Sequence, residues 1–185
     1  MIKKFELDLS SKMTILGVEL FRIKALISFG NVKEGELGGY VEKEDNLSHF
    51  GDAWVYGNAR VYGNAWVYGN AEVSGDAEVS GDARVYGNAE VSGDAEVSGD
   101  AEVSGDAEVS GDARVSKLND YILFKNTWSS GRYFTYTKSN EMWKVGCFYG
   151  TGEELIKKAY EDSEVSGKHY EAYVNFVKTL EALDN

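Results

Sequence analysis

From residue 51 to residue 116 the chain repeats one pattern of apolar and polar positions eleven times: Gly, Asp or Asn, Ala, a variable residue, Val, then Ser or Tyr. Residues 93–110, GDAEVSGDAEVSGDAEVS, are three identical copies. Within a copy, Ala and Val lie two positions apart, so an extended chain puts both on one face and the variable and polar residues on the other. Gly followed by Asp or Asn is suited to a sharp corner. Each hexad therefore predicts one short strand plus one corner. A helix is excluded, because Val every sixth residue does not stay on one side of a 3.6-residue period and a Gly per hexad would cost about 1 kcal/mol each.

The flanks are not repetitive. Phe5, Leu7 and Leu9 alternate, as do Phe21, Ile23, Ala25 and Ile27. This predicts two half-buried strands joined by a hairpin around Ser10–Lys12. The Gly-rich, charged stretch up to Phe50 reads as a turn leading into the repeats. After the repeats, DYILFKN, GRYFTYTKSN and MWKVGCFYG predict three strands. Thr151 with Glu154 three residues later forms a capping-box signature for a helix running to about Asp162. A second helix is expected over Lys168–Leu183, with Tyr170, Tyr173, Val174, Val177 and Leu180 on one side. The segments are thus 1–50, 51–116 and 117–185.

The V-S-G-D-A-E phrase resembles the hexapeptide-repeat family. That resemblance implies a left-handed parallel β-helix with three hexads, 18 residues, per coil. Eleven hexads then make about 3.7 coils, a prism on the order of 18 Å long at strand spacing. The fold class expected is mainly β: a β-helix with an N-terminal hairpin cap and a C-terminal β-β-β-α-α domain. The stretch GELGGYVEKEDNLSHFGDAWVYGNARVYGNA resembles the entry into the repeats, and GRYFTY…GCF.GT..E the tail before the helices, of hexapeptide-repeat proteins of phages and prophages.

An 18-residue coil stacks the variable residues into columns: Trp54, Glu72, Glu90, Glu108; Arg60, Glu78, Glu96, Arg114; Trp66, Arg84, Glu102. The net charge is −12, and residues 51–116 supply most of it, with 13 carboxylates against three Arg. Glu72, Glu90 and Glu108 stack with no Arg among them. Such a surface keeps a repeat soluble, imitates a phosphate backbone toward a nucleic-acid-binding partner, or holds calcium at the Asp76, Asp94 and Asp112 corners. Direct nucleic-acid binding is not expected at this charge. Trp54, Tyr56, Tyr62, Trp66 and Tyr68 point away from the repeat core, so they require a cover or a partner.

Hexapeptide-repeat acyltransferases are trimers that bind acyl-CoA and use a His as general base. The candidate here is His49, for which only Asp45 and Asp52 are near in sequence. The repeats are unbroken and offer no loop for a pocket, and Cys147, the one cysteine, reads as a structural thiol. The expectation is a non-enzymatic interaction protein without a cofactor. It is expected to be cytoplasmic, with no secretory leader and no membrane partner, and to bind a host protein such as a nucleic-acid-binding defence protein as a dimer or trimer. The alternatives are an acyltransferase and a self-assembling structural element.

Overall fold

The computed structural model describes residues 2–183 and contains a parallel β-solenoid between two unlike caps. β1 (Phe5–Ile15), β2 (Val18–Ala25) and β3 (Leu37–Val41) precede the repeats. The eleven hexads supply β4 to β14, each the variable residue and Val, from Trp54–Val55 to Arg114–Val115. They stack as three ladders, β4-β7-β10-β13, β5-β8-β11-β14 and β6-β9-β12. The pairings Trp54 with Glu72, Glu90 with Glu108 and Arg84 with Glu102 give the 18-residue register expected from the period. Rungs are joined by backbone bonds such as Glu90 N–H to the Ala107 carbonyl at 2.9 Å.

Every hexad Ala and Val is buried. Each Val removed from water contributes about 1.5 kcal/mol or more, and stacking makes one apolar column out of units too small to form a core alone. The corner glycines sit in the left-handed region. At Gly75 (φ +71°) an added Cβ would also come within 2.8 Å of the Gly93 carbonyl oxygen in the next coil. Backbone strain and crowding between coils both select glycine there.

The ladders begin before the first hexad. β3 continues the second ladder, with Tyr40 beside Arg60 and Val41 beside Val61, and Leu47 bridges to Val67 on the third. The stretch expected to be only a turn is therefore most of another coil. Its offset is 20 residues instead of 18. A single 3₁₀ turn at Glu44–Asn46 lies in this segment. The buried Asn46 amide donates to the carbonyls of Gly63 (3.2 Å) and Ala65 (2.8 Å), replacing ladder bonds. At Gly39 a Cβ would meet the Ala59 carbonyl oxygen at 2.5 Å, so the double glycine lets β3 lie against the first hexads.

The N-terminal hairpin closes at Leu16–Gly17, not around Ser10–Lys12. Both turn residues have positive φ, and Ile15 pairs with Val18 across a two-residue turn. Near Ser10 the register of β1 slips, where the Asp8 carboxylate accepts from the Ser10 and Ser11 hydroxyls at 2.6 and 2.8 Å. A second irregularity between Arg22 and Lys24 breaks the expected alternation of β2. Leu20, Ile23 and Ala25 are buried, Phe21 only partly, and Leu9 and Ile27 are exposed.

The C-terminal unit is a four-stranded antiparallel sheet, β15 (Tyr121–Lys125), β16 (Tyr133–Thr137), β17 (Met142–Val145) and β18 (Phe148–Thr151), followed by α1 (Gly152–Asp162) and α2 (Glu164–Leu183). The predicted third strand is a hairpin: Val145 pairs with Phe148 across Gly146 (φ +57°) and Cys147. Phe134, Trp143, Leu155, Tyr170, Val174 and Val177 form its core. The capping box is present, with Thr151 Oγ1 accepting from Glu154 N–H and Glu154 Oε2 accepting from Thr151 N–H at 2.9 Å.

Candidate interaction surface

The surface is built on the outward columns, and both of its ends are closed. At the N-terminal end Trp54 is fully buried, with Phe5 and Phe29 edge-on at ring separations of 6.2 and 5.3 Å. Of the cover and the partner expected for Trp54, the structure supplies the cover: the cap packs over the outward face of the first strand, so Trp54 is a core residue and not an interaction anchor. Beside it Lys4 is also buried, and its ammonium donates to the carbonyls of Gly51 (3.2 Å) and Ala53 (2.8 Å). Desolvation lowers its pKa to about 8.

At the other end the C-terminal sheet meets the last coil. Thr135 Oγ1 accepts from Glu108 N–H (3.0 Å), Ser139 Oγ accepts from Arg114 N–H (2.7 Å), and the Tyr121 hydroxyl donates to the Glu102 carbonyl (3.0 Å). Lys144 reaches Glu108 at 3.0 Å. Glu108 is therefore part of the docking of the C-terminal unit and not an open acidic site.

The three columns differ in how their charge is met. Arg60 lies 3.5 Å from Glu78 and Arg114 lies 3.5 Å from Glu96 on the second face; Arg84 lies 3.3 Å from Glu102 on the third. On the first face Glu72 interacts with the Tyr56 hydroxyl and Glu108 with Lys144. Glu90 stands between them in register. Desolvation and the charges of Glu108 and Glu72 raise its pKa. Burial and Glu72 push the Tyr56 pKa up to about 12. Tyr62 donates to Glu78.

At the corners, Asn58 donates to Asp76 (3.3 Å) and Asn64 to Asp82 (3.0 Å). Asp76, Asp94 and Asp112 follow one another up a single corner, and Asp112 accepts from Asn140 at 3.0 Å. Among the described residues no three His, Cys, Asp or Glu side chains converge as a metal site. The calcium candidates are therefore a linear stack and do not surround a point.

The third face carries an aromatic ladder. Trp66, 42% exposed, stacks on Tyr68 at 4.0 Å, and Tyr68 stacks on Tyr86 at 4.8 Å and 8°. Trp66 also borders an open depression with Glu44, Asp45, His49 and Phe50. Phe50 is exposed beside it and was not singled out from the sequence.

His49 is 17% exposed at its side chain and stacks on Phe5 at 4.3 Å. Its Nδ1 accepts from Lys4 N–H at 3.2 Å, and Nε2 faces Glu44 Oε2 at 3.7 Å. With Nδ1 accepting, the neutral ring carries its proton on Nε2, so neither nitrogen presents a free lone pair to a substrate. The partner carboxylate is Glu44, placed by the 3₁₀ turn, and neither Asp45 nor Asp52.

Together, the stacked ladders and inward Ala and Val columns define a β-solenoid repeat protein. A family model described as the YdcK Beta solenoid repeat matches residues 53–69, covering most of the first three hexads. Comparison with curated proteins gives no match. No helix among the described residues is long and apolar enough to cross a membrane.

Proposed function

We propose that the chain is a non-enzymatic interaction module of phage or prophage type, in which the solenoid is a rigid acidic platform between two specific caps. The observation that carries this reading is the first face and its adjoining corner, where Glu90 in one column and Asp76 and Asp94 in the next make no ion pair among the described residues, while the other two faces are paired by Arg. A row of carboxylates at strand spacing on a stiff scaffold suits a basic, nucleic-acid-binding groove in a host protein. The phage-type resemblance of the ends supports the setting, a host cell cytoplasm.

The engaged His49 nitrogens disfavour the acyltransferase reading. The capped ends disfavour growth along the solenoid axis, so self-association would join small oligomers side to side. The test uses wild type and a Glu72→Lys/Glu90→Lys variant as baits in host lysate, with duplex DNA as competitor. The expected partner binds wild type, is released by DNA and is lost with the variant. A partner retained equally by the variant, or saturable acetyl-CoA binding lost in His49→Ala, would overturn the proposal.

A further inference from the structure

The C-terminal unit contains a cavity of about 210 Å³ between β17, the start of α1 and α2. That is below the roughly 300–1,000 Å³ of sites for drug-sized ligands, so its occupant is small. Trp143, Val174 and Val177 give it an apolar floor.

Its polar groups are of two kinds. Trp143 is 2% exposed, and its Nε1–H makes no hydrogen bond with the described residues. This N–H is not sealed from solvent: it opens into the cavity, where water or a polar occupant completes its hydrogen bonding. Gly152, the first residue of α1, keeps that space open: a Cβ there would lie 3.2 Å from Trp143 Nε1 and 2.8 Å from Val174 Cγ1. The capping box occupies the Thr151 and Glu154 amides. The N–H groups of Gly152 and Glu153 have no intrahelical partner, at the positive end of the helix dipole. These donors suit a carboxylate.

The lining also carries acids. Glu141, Glu153 and Glu181 all border the cavity, against the single cation Lys178, which lies 3.6 Å from Glu153. Glu181 accepts from the Tyr136 hydroxyl. Glu141 is held at φ +57°, a backbone state that favours Gly or Asn. A plain anion would meet this excess of carboxylates, and a plain cation would leave the indole N–H unmatched.

We propose that the cavity binds a free α-amino acid with an aliphatic side chain. Its carboxylate takes Trp143 Nε1–H and the start of α1, its ammonium faces Glu141, and its side chain rests on Val174 and Val177. The experiment is a ¹H–¹⁵N spectrum of the full chain, with the Trp143 indole cross-peak assigned by its loss in Trp143→Phe. Wild type is titrated with L-leucine, 4-methylpentanoate and isoamylamine. L-leucine should move that cross-peak saturably, with half-saturation at roughly 1 mM or below, and each analogue should bind at least tenfold more weakly. Glu141→Gln should weaken L-leucine several-fold. A cross-peak unmoved by L-leucine overturns the site. Equal binding of 4-methylpentanoate overturns the ammonium contact, and equal binding of isoamylamine overturns the carboxylate contact.

Discussion

Replacing Glu90 by Gln should stabilise the protein. Glu90 is the middle carboxylate of an in-register column, with Glu72 on one side and Glu108 on the other. Its neighbours have direct partners, the Tyr56 hydroxyl and Lys144, whereas Glu90 makes no ion pair among the described residues and feels Lys144 less than it feels Glu108 and Glu72. At one strand spacing, about 5 Å, two unit charges repel by about 0.8 kcal/mol even in water. Two such pairs, weakened by screening at 0.1 M salt, leave about 1 kcal/mol, within the usual range for cross-strand pairs. For a chain of this length that corresponds to a rise in Tm of roughly 2–4 °C.

The pH sign follows from the raised pKa of Glu90. The folded state holds this proton more tightly than the unfolded state, so the associated stability is present below the unfolded carboxylate pKa and is lost as pH rises through the folded one. Wild type should therefore fall behind Glu90→Gln at pH 7 and draw level with it near pH 4. Urea unfolding at both pH values, in about 20 mM and 500 mM salt, measures this. A variant no more stable than wild type at pH 7 and low salt would refute the reasoning. So would a gain that salt leaves unchanged, because desolvation or packing, and not repulsion along the column, would then be responsible.

Three further outcomes are expected. Gly75→Ala and Gly105→Ala both place Ala at positive φ, but only the first brings a Cβ against backbone of the next coil, whereas Gly105 meets a Leu123 methyl at 3.5 Å; Gly75→Ala should show the larger loss of Tm, and equal losses would mean that crowding between coils does not matter. For Lys4, burial lowers the pKa to about 8, so the unfolded chain binds more protons between pH 8 and 10.5 and wild type should gain on Lys4→Met across that window, by up to roughly 3 kcal/mol; parallel stability–pH profiles would contradict this. Lys144→Met removes the cation that meets Glu108 between solenoid and C-terminal sheet, and faster amide exchange in β16 and β17 with unchanged exchange in β5 and β8 is the expected signature.

Much of the solenoid could be read directly, because its geometry is periodic. An 18-residue coil places Arg60 over Glu78 and Arg84 over Glu102 wherever the chain starts, and the Thr151–Glu154 box is a three-residue relation. The misplaced readings all concern contacts across long separations. Trp54 has the pattern of an outward residue and is buried by Phe5 and Phe29. Glu108 has the pattern of an open carboxylate and is held by Lys144, 36 residues later. His49 is engaged by Lys4 N–H, 45 residues earlier. Nothing local marks Gly39 as the place where a coil begins, since the reason lies at the Ala59 carbonyl.

By itself, the sequence determined the repeating strand and corner, the inward Ala and Val columns, the outward charge columns and the helices of the tail, since each follows from a relation between residues near in sequence or from a strict period. Only the tertiary structure decided which outward residues stay outward. The caps are not periodic, and they cover Trp54, engage His49 and neutralise Glu108. That leaves Glu90 between two carboxylates that have partners of their own and places Trp143 against an open cradle at Gly152. Such outcomes depend on how separate elements pack against one another, and no local pattern encodes that.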